Sequence, residues 1–200
     1  MKKILRTVLL KKEFDHLLRV NEKTYEQLAP YLQVKQYSKG EIIKKPGEIE
    51  HYARYVYRGH IAKMIPSEKG RDYRVRIFGP GKIASDLASY FNNEKSDFYL
   101  KALSYVSAFE LHDEAEKMLL KKIPEVAELA SYINRQILMD AVLWHEAFNL
   151  PRETALKKMR KHFPHEMNHF SNKDLGYMLK CSVSTISKIK SSMDEVYPAL

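Results

Sequence analysis

Two changes of texture, at Tyr31 and near Asp113, limit the possible folds of this chain more than any single motif. From Tyr31 to His112 the sequence is rich in Tyr, Val, Ile and Phe. Turn signals cut it at Lys39-Gly40, Pro46-Gly47, Gly59, Lys69-Gly70 and Gly79-Pro80-Gly81. The stretches "RYVYRGHIAKMI" and "DYRVRIF" alternate as half-buried strands do, and "DFYLKALSYVSAFEL" reads as two more. Many short strands at close turn spacing predict a small antiparallel barrel or sandwich. Residues 1–30, ahead of it, read as helical. Phe14, Leu17, Leu18 and Leu28 punctuate charged stretches there, and Pro30 ends the pattern.

The third texture is helical throughout. Pro124 suits the first turn of a long helix. Apolar residues then recur at three- and four-residue steps: Val126, Leu129, Ala130, Ile133, Ile137, Ala141, Trp144 and Phe148. This stripe extends over roughly 35 Å at about 1.5 Å per residue. A single apolar seam of that length fits a dimer interface, with packing against its own domain as the alternative. Asp140 lies close to the seam, where it sets register or is solvated.

After Pro151, "RETALKKMRKHFP" reads as an amphipathic helix stopped by Pro164. "SNKDLGYMLK" is a second helix, with Ser171 or Asn172 as N-cap and Asp174 in its first turn. "SVSTISKIKSSM" is a third, with Ser182 as N-cap. Its thin apolar face is Val183, Ile186, Ile189 and Met193. Its outer face is hydroxyls and lysines. Two short helices around a tight turn, the second polar outside, form a helix-turn-helix. Gly176 fits a close crossing between them.

Charge supports that reading. The net charge is +9, and the segment from Arg152 to Met193 holds nine Lys or Arg against three Asp or Glu, +6 of the total. Such a patch favours an acidic partner such as nucleic acid. The single cysteine, Cys181, excludes an intramolecular disulfide and a four-thiolate iron–sulfur cluster supplied by one chain. No apolar run is long enough to cross a bilayer, and the basic N-terminus lacks the apolar stretch of a signal peptide, so a cytoplasmic protein is expected. No nucleophile–base constellation, phosphate loop or metal pair is visible, so no enzyme is expected. His162, His165 and His169 in "HFPHEMNH" have a spacing that zinc sites use. Pro164 breaks the helix between the first two, and the three are expected to line an exposed loop with no metal.

The order of these parts resembles the cyclic-AMP receptor protein and fumarate–nitrate regulator (Crp/Fnr) family of transcription factors. "YSKGEIIKKPGE" is similar to the family's early-strand motif, and "YVYRGHIAKMI" to the hairpin after it. "FGPGKIASDLASYF" is similar to the start of the nucleotide-phosphate cassette, and "LKCSVSTISKI" to the recognition-helix start. "SDFYLKAL" and "RETALKKM" resemble a branch with a reduced C-terminal helix-turn-helix domain.

The resemblance implies an α+β fold in three parts. Residues 1–112 hold N-terminal helices and a cyclic-nucleotide-binding-type β-barrel (jelly roll), 113–150 the connecting and dimerisation helix, and 151–200 an all-α helix-turn-helix domain. It implies a homodimer that binds double-stranded DNA and meets RNA polymerase, with no membrane partner. DNA-binding residues are then Ser182, Val183, Ser184, Thr185, Ser187, Lys188 and Lys190. Val183 is suited to a thymine methyl, and Lys188 to guanine or a phosphate. Lys180 takes the turn position where the family has Gly. The ligand pocket is implied at Ser85, Asp86, Leu87, Ser96 and Asp97.

Departures from the family pattern limit what carries over. Where nucleotide-binding members have Gly-Glu, this chain has Ser85-Asp86. Where they grip the phosphate with Arg-Ser, it has Ser96-Asp97. Serine cannot replace a bidentate guanidinium, and Asp97 would repel a phosphate. Cyclic AMP is therefore not the expected effector. No cofactor is expected, and the pocket holds another small molecule or none. The rival reading is a ligand-binding or protein-interaction module that has lost specific DNA binding.

Overall fold

The computed structural model describes residues 3–68 and 70–196. Two helices, α1 (Lys3–Phe14) and α2 (Glu22–Leu28), precede eight strands. These are β1 (Gln33–Tyr37), β2 (Ile42–Lys44), β3 (Tyr52–Arg58), β4 (Ile61–Ile65), β5 (Tyr73–Phe78), β6 (Lys82–Ala84), β7 (Tyr99–Ala102) and β8 (Val106–His112). A short helix, α3 (Leu87–Asn92), lies between β6 and β7. The strands form two antiparallel four-stranded sheets, in the orders β1-β8-β3-β6 and β2-β7-β4-β5. This is the barrel that the turn spacing predicts.

Strand β3 shows why the first sheet reads as apolar on both faces. Val56, opposite Ala108, points into the barrel with Ile61, Leu100 and Val106. Its neighbour Tyr55, opposite Phe109, points outward under α1, with its ring 4.7 Å from Phe14. Both faces are covered, so strict alternation of apolar and polar residues is lost. The β3–β4 hairpin turns at Gly59, whose φ is +83°. A Cβ there would lie 2.2 Å from the Tyr105 carbonyl oxygen, so glycine is required twice over.

The barrel leads into α4 (Asp113–Lys122) and the long α5 (Pro124–Phe148), with Pro124 in its first turn. The last unit is α6 (Arg152–His162), a single turn α7 (Pro164–Met167), α8 (Asn172–Met178) and α9 (Val183–Val196). Ser171 caps α8 in a full capping box with Asp174. Lys180, between α8 and α9, has φ of 53°, the left-handed conformation the turn demands. A Cβ on Gly176 would meet the Cys181 carbonyl oxygen at 2.8 Å, so α8 carries glycine where the chain into α9 crosses it.

The apolar seam of α5 is where the structure corrects the sequence reading. Val126 and Leu129 are buried with Tyr25, Leu28 and Leu119 beneath the N-terminal helices. Trp144 is buried against Phe163 and Phe170 of the last unit, at ring distances of 5.3 and 5.6 Å. Ile133, Ile137 and Ala141 are half-buried between these two clusters. The stripe thus serves its own chain, because the N-terminal helices and the last unit both need an apolar partner. A different face of α5 exposes large apolar side chains: Tyr132 38%, Leu138 62%, Met139 51% and Val142 38%. Asp140 is partly buried and engaged within its own chain. It accepts from Lys82 Nζ at 2.6 Å and ties α5 to β6.

Candidate ligand and nucleic-acid sites

The two sites begin from one shared core. Ala62, Met64, Ile77 and Tyr99 of the barrel pack with Trp144 and with Leu156, Met159, Phe163 and Leu175 of the last unit. Polar contacts add direction. The Arg74 backbone N–H donates to Asp174 Oδ1 at 3.1 Å, and Tyr73 stacks on Tyr177 with centroids 4.1 Å apart. Strand β5 therefore holds α8, and through it α9, in one orientation. His169 does not sit in an exposed loop as expected. It packs on His60 of the barrel, 3.9 Å between centroids. Burial holds both imidazoles below their ordinary pKa, helped at His60 by the neighbouring His169 and His165 and at His169 by the Arg74 charge. His162 and His165 are exposed.

The segment between β6 and β7 is organised around a buried carboxylate. Asp86 is almost fully buried, and Lys63 Nζ donates to its Oδ1 at 2.7 Å. Lys44 Nζ lies 3.6 Å from Oδ2 and donates to the Phe98 carbonyl at 2.7 Å and the Ser96 carbonyl at 3.3 Å. Burial raises the Asp86 pKa, but Lys63, Ser96 and Lys44 together hold it below the usual carboxylate range. Asp97 is exposed at the surface and is not the anion of the pocket, as the sequence reading had it. The buried anion of this segment is Asp86, neutralised by two lysines. Sequence reasoning missed both. The available signal was a lysine inside an apolar strand, "IAKMI" and "EIIKKP".

Ser85 and Leu87 do line a cavity, of about 560 Å³. Its walls come from the barrel (Ile65, Arg76, Phe98), from α5 (Ile137, Ala141, Trp144) and from the α8–α9 corner (Tyr177, Met178, Lys180). This volume falls in the range of small-molecule pockets, ~300–1,000 Å³. Asp86, Ser96 and Asp97 are not among its lining residues.

At the other site, the start of α9 faces outward. Ile186 and Met193 are buried on the last unit and Ile189 is half-buried. Val183, assigned to the apolar face by its spacing, is 48% exposed and so lies with the outer residues. Ser182 Oγ accepts from the Thr185 backbone N–H at 3.1 Å, as an N-cap does. It is also 2.7 Å from Ser184 Oγ and 2.9 Å from Thr185 Oγ1, so the three hydroxyls form one cluster. Ser187 accepts from Asn172 Nδ2 at 3.0 Å and donates to the Val183 carbonyl, which links α9 to α8. Lys188 is exposed and Lys190 half-buried. Arg152 braces the turn from below by donating to the carbonyls of Leu179 and Lys180 at 3.3 Å each.

Among the described residues one group of His, Cys, Asp and Glu has metal-like spacing: His51, His112 and Asp113, with ligand atoms within 4.8 Å. His112 Nδ1 caps α4 by accepting from the Glu114 N–H at 3.3 Å, and Asp113 Oδ1 takes the same N–H at 2.9 Å. These atoms are engaged in ending a strand and starting a helix.

The sequence matches no protein-family model and no curated protein. Solved structures match over nearly the whole chain. The c-di-GMP responsive global regulator CLP of Xanthomonas campestris aligns over 88% of this chain and 92% of its own, at 15% identity and TM-score 0.63. FixK2 of Bradyrhizobium japonicum aligns over 82% and 85%, at 17% identity and TM-score 0.59. The catabolite activator protein of Thermus thermophilus aligns over 90% and 86%, at 18% identity and TM-score 0.51. The chain has the Crp/Fnr regulator fold.

Proposed function

We propose that the protein is a DNA-binding transcription regulator of the cytoplasm whose barrel no longer takes a cyclic nucleotide. The observation that carries this reading is α9. Its start exposes Val183, Ser184 and Lys188 while Ile186 and Met193 anchor it, at the end of a segment with net charge +6. A helix so presented enters a major groove with its first turns, and the surrounding lysines and arginines meet phosphates. Lysine and hydroxyls in place of arginine make the binding phosphate-led, with modest base discrimination. A second copy packed on the exposed face of Tyr132, Leu138, Met139 and Val142 would pair two α9 helices, and reading half-sites one DNA turn apart requires them to lie roughly 34 Å from each other. RNA polymerase is the further partner such a regulator would meet.

Binding titrations on genomic DNA fragments at several salt concentrations test this. Affinity is expected to fall with log salt by about 0.9 per phosphate contact. Lys188→Ala is expected to flatten that slope by about two units for a symmetric dimer, one contact in each copy. Absent or salt-independent binding would leave an interaction module without DNA as the function. Calorimetry with cyclic AMP is expected to show no isotherm at physiological concentrations. Micromolar binding would mean that Lys44 and Lys63 exchange Asp86 for the phosphate.

A further inference from the structure

We propose that His51, His112 and Asp113 bind a divalent transition-metal ion such as Zn2+. The three residues join the start of β3 to the first turn of α4, away from the cavity and from the reader helix. The site goes beyond the DNA-binding reading and stands without it.

Two observations carry the inference. The first is the donor set. Each residue offers one ligand atom, and these atoms lie within 4.8 Å of one another. His51 Nδ1 is 3.8 Å from Asp113 Oδ2, too far for a hydrogen bond. Two ligands bound at about 2.0–2.1 Å to one tetrahedral ion lie roughly 3.4 Å apart, so a small turn of the imidazole brings this pair to that spacing. The second observation is redundancy at the α4 cap. The Glu114 N–H meets His112 Nδ1 at 3.3 Å and Asp113 Oδ1 at 2.9 Å, and it needs one acceptor. Asp113 Oδ1 alone keeps the helix start. His112 Nδ1 also lies 2.8 Å from Asp113 Oδ1. An accepting nitrogen there faces a carboxylate oxygen with its lone pair, and a proton or a metal ion relieves that contact. Asp113 Oδ2 and the two imidazoles are then the ligands.

The backbone holds the three residues together. Tyr52 pairs with His112 in the β3–β8 register, and the Asp113 N–H donates to the His51 carbonyl at 3.0 Å. The two imidazoles are parallel, with 6° between planes and 5.7 Å between centroids, and the Tyr52 ring meets His112 edge-on at 5.0 Å. Ligands on strand ends keep their geometry better than ligands on loops. Access and charge also fit an ion from solvent. The His51 and His112 side chains are 44% and 37% exposed. A helix start alone disfavours a cation, but Asp113, Glu114 and Glu116 make the first turn of α4 acidic. Lys117 Nζ, 3.5 Å from Asp113 Oδ2, is the competing cation. Its side chain is 69% exposed, so it swings away at little cost. The donor types select the ion: imidazole suits zinc, copper and nickel, whereas magnesium and calcium take oxygen ligands.

The test is calorimetry of Zn2+ on the full chain after chelator treatment, with Mg2+ as the oxygen-seeking control. Zn2+ is expected to bind saturably at this site, one per chain, and to raise the melting midpoint, because it binds the folded chain alone. Mg2+ is expected not to bind. His51→Gln removes one ligand and leaves the α4 cap in place, so its metal-free melting midpoint should match wild type. It is expected to weaken Zn2+ by at least about a hundredfold, since losing a ligand costs no less than losing a group that only orients one. The zinc-dependent rise in melting midpoint should vanish with it, and His112→Gln should lose both in the same way. Co2+ in place of Zn2+ should give the visible bands of a four- or five-coordinate ion in wild type and not in His51→Gln. His162→Gln combined with His165→Gln, at exposed positions in the other histidine-rich stretch, should leave Zn2+ binding unchanged. No saturable Zn2+ binding, equal binding of Mg2+, Zn2+ binding unchanged in His51→Gln, or binding lost in the His162 and His165 variant would overturn the proposal. Zn2+ binding as expected in a protein with no affinity for DNA supports the site and removes the regulator reading alone.

Discussion

Replacing Asp86 by Asn removes the charge of the buried cassette and keeps its shape. Asp86, Lys44 and Lys63 side chains are 1%, 3% and 19% exposed, and the two ammonium groups share this one carboxylate. Leaving a buried charge without its partner costs about 3–5 kcal/mol. Lys44 keeps the Phe98 and Ser96 carbonyls, and Lys63 keeps the Phe98 ring at 4.2 Å and borders the cavity. These contacts place the loss at the lower end, about 3 kcal/mol. At about 2–4 °C per kcal/mol for a chain of this size, the melting midpoint should fall by about 6–12 °C. The pH dependence follows from the direction of the shift. Asp86 titrates lower folded than unfolded, because Lys63, Ser96 and Lys44 outweigh burial. Its stabilisation is therefore complete above the unfolded value, about 3.9, and is lost as pH falls through the folded value. The gap between wild type and Asp86→Asn should be full at pH 7 and shrink below about pH 4. Calorimetric melts and urea titrations at both pH values measure it. A fall under about 2 °C at pH 7, or a gap that persists in acid, would refute the argument that this carboxylate neutralises the lysines.

Gly176→Ala places a methyl group 2.8 Å from the Cys181 carbonyl oxygen, so the α8–α9 crossing must open. Overpacking of this kind costs about 1–3 kcal/mol. Both the melting midpoint and DNA affinity should drop, and if neither moves the crossing is looser than described. Leu138→Asp, on the exposed face of α5, should leave the stability of one chain within about 0.5 kcal/mol but shift sedimentation from dimer to monomer. Leu129→Asp, buried beneath the N-terminal helices, should unfold the chain instead. A Leu138→Asp protein that sediments like a wild-type dimer would exclude this face as the contact.

Local patterns made much of the fold legible. Turn residues at Gly40, Gly47, Gly59 and Gly81 have the positive φ that only a short-strand architecture repeats so often, and they are visible as letters. Pro124, Ser171 with Asp174, Ser182 and the tight corner at Gly176 and Lys180 marked helix starts and the last turn, because each acts on backbone within four or five residues. Periodicity also established that Ile133, Ile137 and Trp144 share one side of α5.

What that side meets was settled only by packing. An amphipathic helix declares a face and not a partner, and here two separate clusters of its own chain claimed the face first. The cassette shows the same limit. Ser96, where the resembled family has arginine, was legible as a departure from that family's pattern. It did not announce that Lys44 and Lys63 lie against Asp86, because those contacts join residues 42 and 23 positions apart, from strands β2 and β4 to the start of α3. His169 on His60, and Arg76 between Trp144 and Phe163, are pairings of the same kind. Sequence spacing sets which side chains point together along one element. Charge neutralisation and burial are satisfied across elements, and the fold alone decides which ones come within reach.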